Sequence, residues 1–71
     1  MLYQVVKVWC ILKFPDGSWK RLSTTEMFEA LSKKVSALMK EGWKCQGGIA
    51  LLDNGGTLNE VLQAMVYNAL P

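Results

Sequence analysis

Six aromatic and cationic side chains near the amino terminus are the residues of this chain best suited to binding chemistry. The set consists of Tyr3, Lys7, Trp9, Lys13, Trp19 and Arg21. Aromatic rings stack on nucleobases, and neighbouring lysine or arginine side chains bind phosphate oxygens. The set predicts a site for a nucleotide or single-stranded nucleic acid. The more frequent use of such a surface is an oligomer interface or a sheet face with solvated lysines, and the two uses can coexist.

A second group of candidates lies in residues 41–48. Gly47 and Gly48 leave the backbone open to a ligand, although close packing or a β-bulge explains a glycine pair equally well. Trp43 follows a helix, where it fits a clamp on the helix end as well as an aromatic platform. The predicted ligand contacts are Trp9, Lys13, Trp19, Arg21, Trp43, Lys44, Gly47 and Gly48.

The chain lacks the residues on which common catalytic sites are built. It has no histidine, and its six acidic residues fit capping, turns and solvation. Cys10 and Cys45 have no further zinc ligands at a suitable spacing, which leaves two buried free thiols or a disulfide as alternatives. We therefore expect no catalytic residue, metal or cofactor.

Length and composition predict one small domain over residues 1–71. Hydrophobic residues make up 51% of the chain, which is more than a core of this size needs and favours self-association. The net charge of +2 is too small to indicate a nucleic-acid partner, so we expect none. The sequence shows neither a signal peptide nor about 20 consecutive apolar residues, and so predicts a cytoplasmic protein without a membrane partner.

The predicted elements fall into three parts: a strand with a hairpin arm over 2–22, a helix over 24–41 and a C-terminal hairpin over 43–68. Residues 2–14 predict one long strand whose even-numbered side chains face the core. Pro15, Asp16 and Gly17 form the turn of the arm, so Lys13 should face Trp19.

Hydrophobic periodicity predicts that the helix packs on one face of an antiparallel sheet of three to four strands. A capping box of Ser23 and Glu26 begins the helix, and Gly42 ends it. The two strands of the C-terminal hairpin carry apolar side chains on both faces. Because one helix covers only one face of a sheet, we expect an α+β fold whose other face is covered by a second copy or a partner.

Four segments, in one order along the chain, carry a family resemblance. They are residues 3–6 (Tyr-Gln-Val-Val), 41–43 (Glu-Gly-Trp), 47–48 (Gly-Gly) and 63–66 (Gln-Ala-Met-Val). The chain resembles a family of short bacterial and phage domains of unknown function with this signature. The resemblance implies a compact β-α-β-β unit and transfers no catalytic residues. The arm over residues 10–22 departs from the family pattern.

These features together predict a non-catalytic, homo-oligomeric binding protein. The favoured function is that of a phage-encoded, sponge-like protein that sequesters a nucleotide-type anionic ligand near a subunit interface. The alternative is a protein-interaction module that docks a host or viral protein through the arm or the exposed sheet face. Single-stranded nucleic-acid binding is a third hypothesis, which the low net charge disfavours.

Overall fold

The computed structural model describes residues 1–68 and confirms the α+β fold. One helix and five strands follow each other in the order β1-β2-β3-α1-β4-β5. Their bounds are β1 Leu2–Trp9, β2 Ile11–Lys13, β3 Trp19–Arg21, α1 Thr24–Lys40, β4 Lys44–Asn54 and β5 Thr57–Tyr67. The predicted segments for the helix and the C-terminal hairpin agree with these bounds to within two residues.

The main sheet is antiparallel and has three strands in the order β1-β5-β4. Val6 lies opposite Gln63 in the pairing of β1 with β5, and Cys45 lies opposite Met65 in the pairing of β4 with β5. The last strand of the chain is therefore central, and β1 and β4 are the two edges. Since both edges are antiparallel to β5, they run parallel to each other.

The first predicted strand is interrupted at Cys10, which corrects the single strand over 2–14. The Cys10 N–H still donates to Asn59 O at 2.8 Å, but beyond it β2 pairs only with β3 as a separate arm. Within the arm the predicted register is confirmed, with Lys13 opposite Trp19. The break has a consequence for burial: Leu12 and Phe14, predicted to face the core, remain 44% and 43% exposed.

The helix begins with the predicted capping box. Ser23 Oγ accepts from the Glu26 N–H at 3.2 Å, and Glu26 Oε1 accepts from the Ser23 N–H at 3.0 Å. Lys20 Nζ donates to Glu26 Oε2 at 2.6 Å. The Lys20 hydrogen bond and then the Ser23 bonds hold the pKa of Glu26 at about 2. The cap thus joins the arm to the first turn of the helix.

The helix ends in a Schellman motif built on Gly42. The Trp43 N–H donates to Leu38 O and the Gly42 N–H to Met39 O, both at 3.1 Å. Gly42 has a φ of 102°, and a Cβ at this position would lie 2.9 Å from Cε2 of Tyr67. Both backbone conformation and space therefore require glycine here.

The core lies between α1 and one face of the sheet, which we call the covered face. It contains the buried hydrophobic residues Val6, Val8, Cys10, Met27, Leu31, Val61 and Met65. The chain measures 44 × 30 × 16 Å and has a radius of gyration of 13.9 Å, against about 11 Å for a compact domain of this length. The molecule is thus one sheet and one helix thick.

Candidate functional site

The sheet face turned away from the helix is apolar and uncovered, and we call it the open face. Residues opposite each other in antiparallel strands share a face, so the register assigns its members. They are Tyr3, Val5, Lys7 and Trp9 of β1, Glu60, Leu62, Ala64 and Val66 of β5, and Lys44, Gln46, Ala50 and Leu52 of β4. The exposed fractions of Tyr3, Val5, Trp9 and Leu52 lie between 51% and 67%. Contiguous exposed apolar surfaces are common at contact sites, which makes the open face a candidate interface.

Aromatic rings and ammonium groups surround the apolar centre of the open face. Tyr3 and Trp9 occupy the two ends of β1, about 20 Å apart at the usual rise of a strand. Lys7 lies between them, opposite Leu62. Lys44 lies two strands away from Tyr3, since both are opposite Val66. The open face therefore combines stacking surfaces with groups that bind anions.

The remaining aromatic and cationic candidates of the amino-terminal half lie on the arm. Lys13 and Trp19 are cross-strand neighbours, and Trp19 is 65% exposed. Arg21 Nη1 lies 3.8 Å from Sγ of the buried Cys10, so this guanidinium turns back toward the sheet. The arm thus brings Lys13 and Trp19 together as one exposed pair, with Arg21 beside the bend.

Trp43 lies at the other end of the molecule. Its ring centroid is 5.4 Å from that of Tyr67, and the side chain packs half-buried against the core. Because β1 and β4 run parallel on either side of β5, both strands start at the same end of the sheet, whereas Trp9 ends β1 at the other end. The structure therefore places Trp43 away from Trp9 and Trp19 and gives it the clamp position that the helix end predicted.

Gly47 and Gly48 lie in a β-bulge. Gln46 is opposite Ala64 and Ala50 is opposite Leu62, so three residues of β4 face the single residue Gln63. The Gln63 amide donates to Gly47 O at 3.2 Å and to Ala64 O at 3.0 Å. A Cβ on either glycine would meet nothing within 4 Å, whereas the φ of 73° at Gly47 favours glycine. The pair bends an edge strand and lines no described pocket.

A groove of about 530 Å³ runs between the arm, the end of β1 and the helix. Its lining includes Trp9 and four lysines: Lys7, Lys20, Lys33 and Lys34. Glu26 and Glu29 also line it, and Lys20 pairs with the first of these. The groove is within the size range of small-molecule sites. The positive charges of the other three lysines, Lys7, Lys33 and Lys34, favour the binding of an anion in the groove.

Lys33 and Lys34 were missed as site residues from sequence because both fit the solvent side of a helix. A signal was nevertheless present, since Glu26, Ala30 and Lys33 recur at i, i+4 and i+7 and so share a helix face. Lys34 Nζ reaches Lys7 O across the groove at 3.4 Å. What the sequence did not show is that the edge of β1 lies beside this helix face.

Strand β4 is exposed along its whole length. All eleven of its residues are exposed, including Ile49, Leu51 and Leu52 at 50–55%. The buried residues of the helix and sheet belong to β1, β5 and α1, so the helix leaves β4 largely uncovered. Cys45 in this strand is an exposed free thiol, which corrects the expectation of two buried thiols; Cys10 is free and buried.

Comparison with known proteins found no match to a protein family, a curated protein or a solved structure. Within residues 1–68, no helix has the length and apolar character needed to cross a membrane. The same residues contain no group of three or more acidic, cysteine or histidine side chains placed to hold a metal ion.

Proposed function

We propose that this chain is a non-catalytic binding protein that works as a homo-oligomer and sequesters a nucleotide-type anionic ligand. The observation that carries the proposal is the open face, where Tyr3, Val5 and Trp9 are more than half exposed beside Lys7. A second copy placed on this face removes its apolar side chains from water. The rings and lysines at its margin are then left for the ligand.

The surface area of the chain supports assembly. The accessible surface is 5236 Å², whereas a folded monomer of 8.0 kDa has about 4,450 Å². The excess is close to the roughly 800 Å² that each partner buries in a standard protein interface. Burial of the open face would bring the accessible surface per chain to the value expected for its mass. Each Å² of apolar surface buried in this way would stabilise the assembly by about 25 cal/mol.

The position of Trp9 supports an anionic ligand with a flat ring. Trp9 and Lys7 belong to the open face and also line the groove beside Lys33 and Lys34. A base stacked on the indole would place its phosphates near these ammonium groups, an arrangement that gains from both stacking and charge. With no catalytic group assigned to the site, binding would end in sequestration, which is the sponge-like function.

Native mass spectrometry of gently purified protein tests the ligand. We expect an oligomer that carries additional mass of nucleotide size. Trp9→Ala and Lys7→Ala should each reduce the occupied fraction at least tenfold without changing the subunit number. Lys40→Ala removes an exposed lysine outside the groove and should leave occupancy unchanged. An oligomer without bound mass, or equal ligand occupancy in all variants, would contradict the proposed binding of a ligand at this site.

A substitution in the β1 part of the open face tests assembly. Val5→Lys places an ammonium group where the second copy would pack, and should reduce the subunit number by at least half while the circular dichroism spectrum stays unchanged. Lys33→Ala, on the helix, serves as the control and should keep the oligomer. A Val5→Lys protein with the parent's subunit number would show that the open face is not an interface.

The arm supports protein interaction as a second candidate function. Leu12, Phe14 and Trp19 project from a two-stranded hairpin and are 43–65% exposed. A chain without residues 13–19 should then lose a macromolecular partner captured by the intact protein, and neither form should carry a nucleotide. Nucleotide bound equally by both forms would favour sequestration over this function.

A further inference from the structure

We propose that β4 pairs with β4 of a second copy, antiparallel about a twofold axis, and so extends the three-stranded sheet to six strands. This inference rests on the self-association in the proposed function and adds a second interface, distinct from the open face. The two surfaces are a strand edge and a sheet face, so substitutions can remove one and leave the other.

The central residues of the outer β4 edge lack the charges, prolines and covering elements that protect many sheet edges from pairing. Residues 45–52 contain no charged residue and no proline, and Ile49, Leu51 and Leu52 are half exposed. Protected edges carry lysines, prolines or covering elements. Two irregularities interrupt β4, a bulge at residues 47–49 and a register shift between Leu52 and Asp53. Because an uncharged, apolar edge exposes its backbone groups to any strand, it is the surface from which pairing should start.

The opposite edge of the same sheet is protected, which makes β4 the edge available to a copy. Lys7 lies in the middle of β1, and Lys34 extends from the helix to donate to Lys7 O. The arm follows directly after Trp9 and flanks the same groove. A strand approaching β1 would have to displace these lysines, whereas β4 is an edge strand with no further described strand beside it.

The charges at the ends of β4 select a second copy as the partner. Lys44 begins the strand, and Asp53 lies next to its last residue. Eight residues lie between them, and nine steps along the strand separate them by about 30 Å, so they do not interact within one chain. Antiparallel pairing brings the Lys44 end of each copy to the Asp53 end of the other, whereas parallel pairing brings like charges together. The strand is therefore complementary to itself.

The twofold axis determines the rest of the arrangement. An axis perpendicular to the sheet keeps both helices on one face and requires one central residue of β4 to lie opposite its own copy. The midpoint of Lys44–Asn54 is Ile49, which places the axis within residues 48–50. With the axis at Ile49, its half-exposed side chain lies opposite its own copy, and Leu51 lies opposite Gly47 of the partner subunit. The two open faces merge into one continuous surface twice as large.

A charge exchange tests the pairing in the full chain. Asp53→Lys should weaken dimerisation through β4 about tenfold, because two attractive pairs of strand ends become repulsive. The double variant Lys44→Glu with Asp53→Lys should restore the parent dissociation constant to within about threefold. Since these residues are too far apart to meet within one chain, recovery reports contact between copies. Equal dissociation constants in all three proteins would contradict the pairing.

Cysteine cross-linking locates the axis independently of affinity. In a Cys45→Ser background, Gly48→Cys, Ile49→Cys and Ala50→Cys are oxidised separately, and the cross-linked dimer is measured on a non-reducing gel. Twofold antiparallel pairing predicts one position that links efficiently and at least fivefold less product at its neighbours, because only self-opposed residues have the short Cα separation of a disulfide. Absence of linkage at all three positions, or equal linkage, would overturn the inference.

Two disruptive variants separate this interface from the open face. Ile49→Lys combined with Leu51→Lys should abolish edge pairing, and Val5→Lys should abolish face-to-face contact. We expect each variant to have half the parent mass in native mass spectrometry, and their combination to be a monomer. If the edge variant keeps the parent mass while Val5→Lys reduces it, the edge inference fails and the proposed function stands. The reverse result keeps the edge and refutes the face.

Discussion

Both faces of the main sheet carry many apolar side chains, but one face is buried and the other is exposed. On the covered face, Val6, Val8, Val61 and Met65 are at most 8% exposed beneath the helix. On the open face, Tyr3, Val5 and Trp9 of the same first strand are 52–67% exposed. The difference teaches that burial here is decided by where the single helix lies and not by which residues are hydrophobic.

The two faces also differ in the surroundings of their polar side chains. The covered face contains one buried polar residue among those described, Gln63, and all of its observed hydrogen bonds go to backbone carbonyls. The open face places Lys7 and Lys44 among its apolar residues, where they reach water. One face is completed within the chain, whereas the other is suited to completion by a second molecule.

Removal of a side chain from the covered face should have the largest effect on stability. Met65 is fully buried, and Met65→Ala should lower the free energy of unfolding by about 2–5 kcal/mol because a cavity remains. Val66→Ala, on the open face of the same strand, should cost less than about 1 kcal/mol in the monomer. Urea unfolding at a concentration that keeps both variants monomeric measures the difference. Equal costs would mean that the faces do not differ as described.

Replacement of the buried amide should have a smaller effect. Gln63→Leu keeps the size of the side chain but leaves the carbonyls of the bulge without their donor, which should cost about 1–3 kcal/mol. Gln46→Leu alters an exposed amide on the open face and should change the free energy of unfolding by less than about 0.5 kcal/mol. A neutral Gln63→Leu would show that the amide is dispensable to the bulge.

Acid should weaken the link between the arm and the first turn of the helix, and this should be the smallest of the three effects on stability. The pKa of Glu26 is lowered from 4.5 to about 2 by Lys20 and Ser23, so the folded state binds this proton less readily than the unfolded state. The stability that Glu26 contributes is therefore complete above pH 4.5 and is lost as the pH falls toward 2. Thermal unfolding at several pH values measures this slope. Glu26→Gln should reduce it, and an unchanged slope would assign the acid sensitivity to other carboxylates.

Local features of the fold were predictable from sequence because nearby residues determine them. Ser23 with Glu26, and Gly42 with Trp43, form their caps from backbone groups within one or two turns of the helix. The break at Cys10 was not predictable, since apolar alternation continues through it. It depends on the register with β5, whose Asn59 is the last residue to bond this strand.

The candidate residues were predictable by type but not by position. The sequence did not give the strand order, and β5 as the central strand sends β1 and β4 to opposite edges. Their parallel direction places Trp43 and Lys44 at one end of the sheet and Trp9 with the arm at the other. Lys33 and Lys34 entered the groove only through the packing of the helix beside β1.

The positions of the three tryptophans give the protein three separate optical reporters. Trp43 stacks near Tyr67 at the helix end, Trp9 lies on the open face, and Trp19 is at the exposed arm. Emission from a chain that retains only Trp43 would follow unfolding of the helix end. Chains that retain only Trp9 or only Trp19 would respond to a molecule arriving at the sheet or at the arm. Folding, assembly and partner binding can thus be followed separately without any attached dye.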